Sequence, residues 1–461
     1  MRHWLRRLSA LLLAAAFLAC GARAEGLPAD FHRPAELAEN DFTDEGARWC
    51  FARSAASEHF YLFWAPEFGD DPASEALPEA MRVDTADLLE KAEGFYDTNV
   101  RRLHMVDGLP GGYRLQIYLF WDEGWMATGS GYDDAVGALW ISPMTCRPAG
   151  SVIAHEVGHC FQYLVGAEGK DGFRYGYAEG AGNAFWEVSA QWQSWQDYPA
   201  EMFTDYEMDT WFKNNHRALE SEYTRYQNYW WLYDVAQRRG EETLAALWRE
   251  SRRPEDVLSC YRRLYLDGDL DALYDELFDY ACRAVTFDFD AARPYAGDWQ
   301  GRYGAILYPD GEGWQRVAYA SCPEANGFAA VALDAAGGER TLRIRFRGLE
   351  PGSPLAPGDP GRYCLGDEYI EENLTGRTRA YNACDAAPGW RYGTVMLLSD
   401  GTRRYGPCHR DREGTLRVDV PGDAVCVYLV VLGAPERYVC HVWDDDESTD
   451  AQMPFAIAVD G

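Results

Sequence analysis

Lysine is nearly missing: the 461-residue chain has three, Lys91, Lys170 and Lys213, within 43 basic residues set against 74 acidic ones. A net charge of −31 leaves no clustered cationic surface for a phosphate backbone, so nucleic acid is not an expected partner. Long apolar runs are also missing beyond the N-terminus. Without a stretch of about 18 apolar residues, no helix is expected to span a membrane. No fixed-period repeat and no long low-complexity tract is present, which excludes solenoids and sets aside linker-dominated architectures. Histidine is scarce, with nine in the whole chain.

The N-terminus carries Arg2, Arg6 and Arg7, an apolar run over residues 8–18 and the small-residue site "ARA" at 22–24. This reads as a signal peptide over residues 1–24, and the protein is expected to be secreted, extracellular or periplasmic. A second reading anchors it by lipidation of Cys20 in "FLAC", although Phe17 stands where leucine is usual. Twelve cysteines in an exported chain imply disulfides. Cys50 with Cys146 and Cys260 with Cys282 are candidate pairs, and the six from Cys322 to Cys440 are expected to staple the C-terminal part. Loss or lipidation of Cys20 leaves eleven, so at least one thiol is free, and Cys160 is the candidate.

Along the chain, residues 25–50 read as a polar, loosely ordered lead. Residues 51–286 mix strands and helices: strands at 59–64, 113–120 and 137–143, and a helix over 84–103 capped by Asp84 and Thr85. Residue 113–120 alternates as a half-buried strand should. From Asn183 to about Cys282 the pattern is helical, with Gly240 as a break. From residue 287 short apolar runs such as "TLRIRF" and "VCVYLVVL" are separated by turn signals, which predicts an all-β sandwich over 287–461. The acidic run "WDDDESTD" at 443–450 reads as a surface loop rather than a calcium site.

The chemistry sits in "SVIAHEVGHCFQ", residues 151–162. On a helix, His155 and His159 share a face one turn apart, and Glu156 leans over the same place. With so few histidines, H-E-x-x-H arises from composition on the order of a few times in a hundred or less. A catalytic zinc needs a third protein ligand and an open position for water. Glu168, Glu179 and Glu187 are the candidates. Glu168 follows the helix too closely and Glu179 sits among glycines, whereas Glu187 in "GNAFWEVSAQW" lies on a helix that Asn183 can cap and whose neighbouring positions are small or polar. Glu187 is therefore the expected ligand, with Trp186, Trp192 and Trp195 projecting away to pack.

"HEVGH" followed by the glutamate of "FWEVSAQW" resembles the glutamate zincins (gluzincins), and its long spacing is similar to the bacterial collagenase branch. The order "SEHFYLFW", metal motif, "WEVSAQW" and a β-rich tail ending "MPFAIAV" is also similar to a family of uncharacterised secreted bacterial and fungal proteins regarded as metallopeptidases, over residues 50–461. The resemblance implies an α+β zincin-like catalytic domain followed by an all-β sandwich domain. It implies Zn2+ on His155, His159 and Glu187, with Glu156 as the base that assists attack of a zinc-bound water on a peptide or protein substrate. In the zincin pattern the strand before the metal helix lies along the substrate, which would be residues 137–141. For the oxyanion donor, Tyr226 matches the aminopeptidase branch in lying fourteen residues before a glycine, Gly240; Tyr223, Tyr229 and His216 compete. The β domain is expected to serve attachment to a surface or a glycan. The alternatives are a non-catalytic binding protein on the zincin scaffold, or a zinc hydrolase of a non-peptide amide or ester.

Overall fold

The computed structural model describes residues 26–168, 175, 183–335, 338–365, 376–444 and 446–460. The expected signal peptide with Cys20, and the ligand candidate Glu179, lie outside the described residues. No helix among the described residues is long and apolar enough to cross a membrane.

Five strands, β1 (Ser54–Ala56), β2 (Phe60–Trp64), β3 (Leu115–Leu119), β4 (Ala127–Tyr132) and β5 (Val136–Ile141), form one sheet in the order β1-β2-β3-β5-β4. β2, β3 and β5 are parallel, and β1 and β4 run antiparallel at the two edges. Every residue of β2 and β3 is buried. The reason is the lead: Phe31 and Phe42 pack on Phe63, and Trp49 on Tyr118. The expectations of a loose lead and of a half-buried third strand are thereby both corrected, because residues 26–50 cover the face that alternation would have left wet.

Helix α1 (Thr85–Asp97) is capped by Asp84, which accepts from the Ala86 and Asp87 amides, and runs on into a wider turn over Thr98–Arg102. Its Leu88, Leu89, Ala92, Phe95 and Tyr96 are buried. The motif helix α2 (Ser151–Glu168) lies against β4 and β5. The strand at 137–141, expected to lie along a substrate and so to be an edge, is β5, enclosed between β3 and β4, and the edge belongs to β4. β4 escapes sequence patterning because "ATGSGY" is poor in strand formers. Its glycines answer to packing: a Cβ at Gly129 would stand 2.1 Å from the Glu156 carbonyl oxygen, and one at Gly131 would stand 2.3 Å from the Tyr163 ring.

Helices α3 (Asn183–Trp195), α4 (Asp205–Asn214), α5 (Trp230–Arg239), α6 (Thr243–Arg249), α7 (Val257–Tyr265) and α8 (Leu270–Ala284) follow. Gly240, at φ 99°, ends α5 as the sequence suggests. Beyond Leu307 two antiparallel sheets face each other. One has the order β13 (Arg403–Tyr405), β12 (Trp390–Leu398), β15 (Ala424–Gly433), β8 (Phe328–Leu333). The other has the order β14 (Glu413–Val420), β9 (Arg340–Gly348), β16 (Phe455–Asp460), β7 (Gln315–Val317), β6 (Leu307–Pro309). A small ribbon of β10 (Arg362–Tyr363) and β11 (Gly376–Arg377) stands apart. Val427, Leu429 and Val431 of β15 point between the sheets with Ile344, Phe346 and Ile457. Their neighbours Tyr428, Val430 and Leu432 join the core of the helical part, as do Phe328 and Val395. β15 is thus apolar on both faces because helices cover the outer one.

None of the expected disulfides is formed among the described residues. Several cysteines aim at main chain instead of sulfur, Cys146 at the Ser142 carbonyl (3.5 Å), Cys260 at that of Leu247 (3.7 Å) and Cys440 at that of His441 (3.4 Å). Cys160 is buried and free as expected, and burial pushes its thiol pKa up.

Because helices and sandwich share one core, Leu432→Ala is expected to destabilise the protein by about 2–5 kcal/mol with both parts still unfolding together. Calorimetry with separate far-UV and tryptophan probes checks it; two separated transitions would contradict the shared core.

Candidate metal centre

Helices α2 and α3 cross close together. Gly158, inside the motif, lies where an added Cβ would come within 3.2–3.4 Å of Gln193 and Ala190. This approach brings Glu187 Oε2 to 3.1 Å from His155 Nε2 and 3.2 Å from His159 Nε2. All three side chains are nearly buried, at 8, 4 and 9% exposure for His155, His159 and Glu187. Donors on a tetrahedral ion with bonds near 2.0–2.1 Å are separated by roughly 3.3 Å. The two separations from Glu187 Oε2 match that spacing, and all three atoms lie within 4.8 Å of one another.

What the ring nitrogens can do is settled by their other hydrogen bonds. His159 Nδ1 lies 2.9 Å from Gln162 Oε1, and His155 Nδ1 lies 2.9 Å from Gln191 Oε1. An amide oxygen only accepts, so each Nδ1 carries a proton, and in the neutral imidazole each Nε2 then presents a lone pair. For His159 the direction is fixed further back. The Phe95 carbonyl accepts from Asn99 Nδ2 (2.9 Å), Asn99 Oδ1 from Gln193 Nε2 (2.5 Å), and Gln193 Oε1 from Gln162 Nε2 (2.7 Å). A main-chain carbonyl at one end thus orients three amides and one imidazole in turn. Gln162 Nε2 also donates to Ser189 Oγ (2.9 Å), which receives the Trp248 indole N–H (3.2 Å) and donates to the Phe185 carbonyl (2.5 Å). Trp186 stacks on the His159 ring at 4.7 Å, so it closes the site instead of projecting away.

Glu156 is 5% exposed. Burial raises its carboxyl to about 7, with His155 and the Gly129 amide pulling the other way and Glu187 adding to the rise. For Glu187 burial also works upward, but His159 and His155 outweigh it and hold the carboxyl well below its usual range. Tyr226 comes to the same place, its ring 6.0 Å from that of His155. Burial first, then the Glu187 and Glu156 charges, push its hydroxyl to about 12, so it stays a donor.

The structure leaves the other candidates elsewhere. Glu168 is at the exposed end of α2, nine residues and roughly 13 Å past His159. Tyr229 is buried and donates to the Met202 carbonyl (3.1 Å). Tyr223 carries the Arg217 guanidinium over its ring at 4.3 Å, and His216 faces Glu324 and Glu447 at the junction with the sandwich. The glutamine and asparagine supports were not among the residues singled out from sequence. Their only signal there is polar residues on faces of otherwise apolar helices: Gln162 three residues after His159, Gln193 six after Glu187.

The donor chemistry fits a divalent metal with imidazole preference, zinc foremost. Gln162→Ala and Gln191→Ala are each expected to weaken Zn2+ binding by about 10–100-fold, read by competition with a chromogenic chelator. Unchanged affinity in both would show that the imidazoles are oriented by something else.

Residues 27–461 match a family described as "Family of unknown function (DUF6055)". No curated protein matches the chain. Among solved structures, the chain is similar to the C-terminal family 22 carbohydrate binding module of Clostridium thermocellum Xyn10B. That likeness is 14% identical and covers 34% of this chain and 76% of that one, at a TM-score of 0.17. The CBM22-1 xylan-binding domain of Paenibacillus barcinonensis Xyn10C is 8% identical over 35% and 81%, at 0.18. The family GH115 glucuronidase BtGH115A is 9% identical over 76% and 51%, at 0.14. At such scores these likenesses carry no argument about fold or ligand.

Proposed function

For this chain, which belongs to the DUF6055 family of unknown function, we propose zinc-dependent hydrolysis of peptide bonds on a zincin-like catalytic part. The observation that carries the reading is that one carboxylate oxygen of Glu187 stands 3.1 and 3.2 Å from the Nε2 atoms of His155 and His159, all three within 4.8 Å of one another, with a buried glutamate beside them. A structural zinc site would have no use for Glu156.

His155, His159 and Glu187 would hold the zinc, which when bound would supply a Lewis acid to polarise a carbonyl oxygen and lower the pKa of water toward about 7. Glu156 takes the proton from the attacking water and returns it to the leaving amine. The Gly129 amide, donating to its carboxylate, fixes where that proton is received. Tyr226 donates its hydroxyl proton in a hydrogen bond to the oxygen that gains charge. Edge strand β4, which touches the motif helix at Gly129, offers the main-chain groups on which an extended peptide can pair. Peptide is favoured over a simple ester or amide because that edge runs past the base.

With the signal peptide the sequence suggests, the substrate would be met outside the cytoplasm. The sandwich is assigned attachment to a surface or glycan as a secondary role.

Cleavage of an unbiased peptide library, read by mass spectrometry, tests the reaction. Wild type loaded with zinc is expected to cut, while Glu156→Gln keeps its metal and loses roughly 10²–10⁴ in rate. No cutting by a wild type confirmed to hold zinc at His155 and His159 would reject peptide hydrolysis. Tyr226→Phe is expected to lower kcat about 10²–10³-fold with KM little changed; a change confined to KM would make Tyr226 a substrate contact instead.

A further inference from the structure

A second group of ligating side chains lies at the junction between helices and sandwich. The acidic run at 443–450 is not simply a surface loop: Glu447 is 1% and Asp450 7% exposed. Both turn inward toward Glu324, which precedes β8, and toward the segment from His216 to Glu222 that follows α4. His216 Nε2 and carboxylate oxygens of Glu324 and Glu447 lie within 4.8 Å of one another.

Four carboxylates, Glu222, Glu324, Glu447 and Asp450, meet two cationic groups there. Arg217 donates to Glu447 Oε2 (2.9 Å) and stands 3.6 Å from Glu324 Oε1. His441 lies between Glu222 Oε2 (2.6 Å) and Asp450 Oδ1 (3.0 Å), so both ring nitrogens face carboxylates and the ring serves as a cation. With all four carboxylates ionised, two negative charges would remain without a counter-charge in a dry place, where uncompensated charge is costly, and burial accordingly drives the Glu324 carboxyl well up. The unmet hydrogen-bonding atoms are mostly acceptors: His216 Nε2, Glu324 Oε1, Glu222 Oε1 and Asp450 Oδ2, against the donor Arg217 Nη1 and the Tyr223 hydroxyl, which can do either. His216 is 4% exposed, and its ring also bonds to the main chain of Lys213, so the lone pair is what faces the carboxylates.

We propose that this junction binds a second divalent cation, liganded by His216 Nε2 and by Glu324 and Glu447, as a structural ion that ties the helical part to the sandwich. One imidazole with carboxylates suits zinc or manganese better than calcium or magnesium. The supports resemble those of a built site. The Cys364 amide donates to Glu447 Oε2 (2.7 Å), the Ala218 amide to Glu324 Oε2 (2.7 Å), and Asn382 Nδ2 to the Glu447 and Asp450 carbonyls (2.6 and 2.7 Å). The segment that starts at His216 reaches Tyr226 ten residues later, so the ion would also steady the chain that carries the phenol to the first centre.

Metal content separates the two sites. Full-length protein loaded with Zn2+ and desalted is expected to hold two equivalents, and His155→Ala/His159→Ala, which leaves the junction untouched, is expected to hold one. Glu324→Gln should lose that one and keep the other. If His155→Ala/His159→Ala retains no metal after loading with either Zn2+ or Mn2+, the junction ion is overturned and protons must balance its charges, with the peptidase reading unaffected. If the double variant binds as many equivalents as wild type while Glu324→Gln binds none, the junction ion stands and the first centre does not.

Discussion

Two imidazole lone pairs held 3.1 and 3.2 Å from one carboxylate oxygen are repelled by it unless a cation lies among them, and the surrounding fold is arranged to hold them there. Left to themselves, the side chains would rotate apart. They cannot, because each ring is pinned at Nδ1 and because α2 and α3 meet through Gly158 and Ala190. The relay from the Phe95 carbonyl to His159 makes the tautomer of a ligand depend on a helix, α1, that has no part in the chemistry. Burying such amides is tolerable only where every one is satisfied, and this chain of them is.

The same constraint shapes the sheet. The motif helix has to lie close enough to β4 for Gly129 to reach Glu156, and that distance admits no side chain. A strand with weak intrinsic preference is kept in place by its pairing with β5 and by the helix above it. Close approach of the helix and strand propensity are in conflict at "ATGSGY", and the close approach prevails.

Legibility in the sequence followed from range. His155, Glu156 and His159 are one helical turn, and Glu187 could be chosen because small residues marked a close-packed helix face. The parallel strands β2, β3 and β5 and the sandwich strands were carried by apolar runs that alternate or persist. What escaped depends on contacts distant in the chain. β4 needs the helix that follows it; the cover over β3 needs Phe31, Phe42 and Trp49 of the lead; and Gln193 means nothing until Asn99 and Gln162 flank it. Cysteine counting misled because abundance in a chain expected to be exported was read as pairing, whereas Cys146 and Cys260 face carbonyl groups. Glu447 and Asp450 look solvated in a run of acids, and only their partners Arg217 and His441 show that they turn inward.

The double-sided burial of β15 bears on portability. A sandwich whose outer sheet were polar could be inherited, lost or grafted as a cassette, exchanging one catalytic companion for another. Here Phe328, Tyr428, Val430 and Leu432 would become an apolar wall on any excised copy. The C-terminal half is therefore better regarded as a permanent part of the helical body than as an appended module.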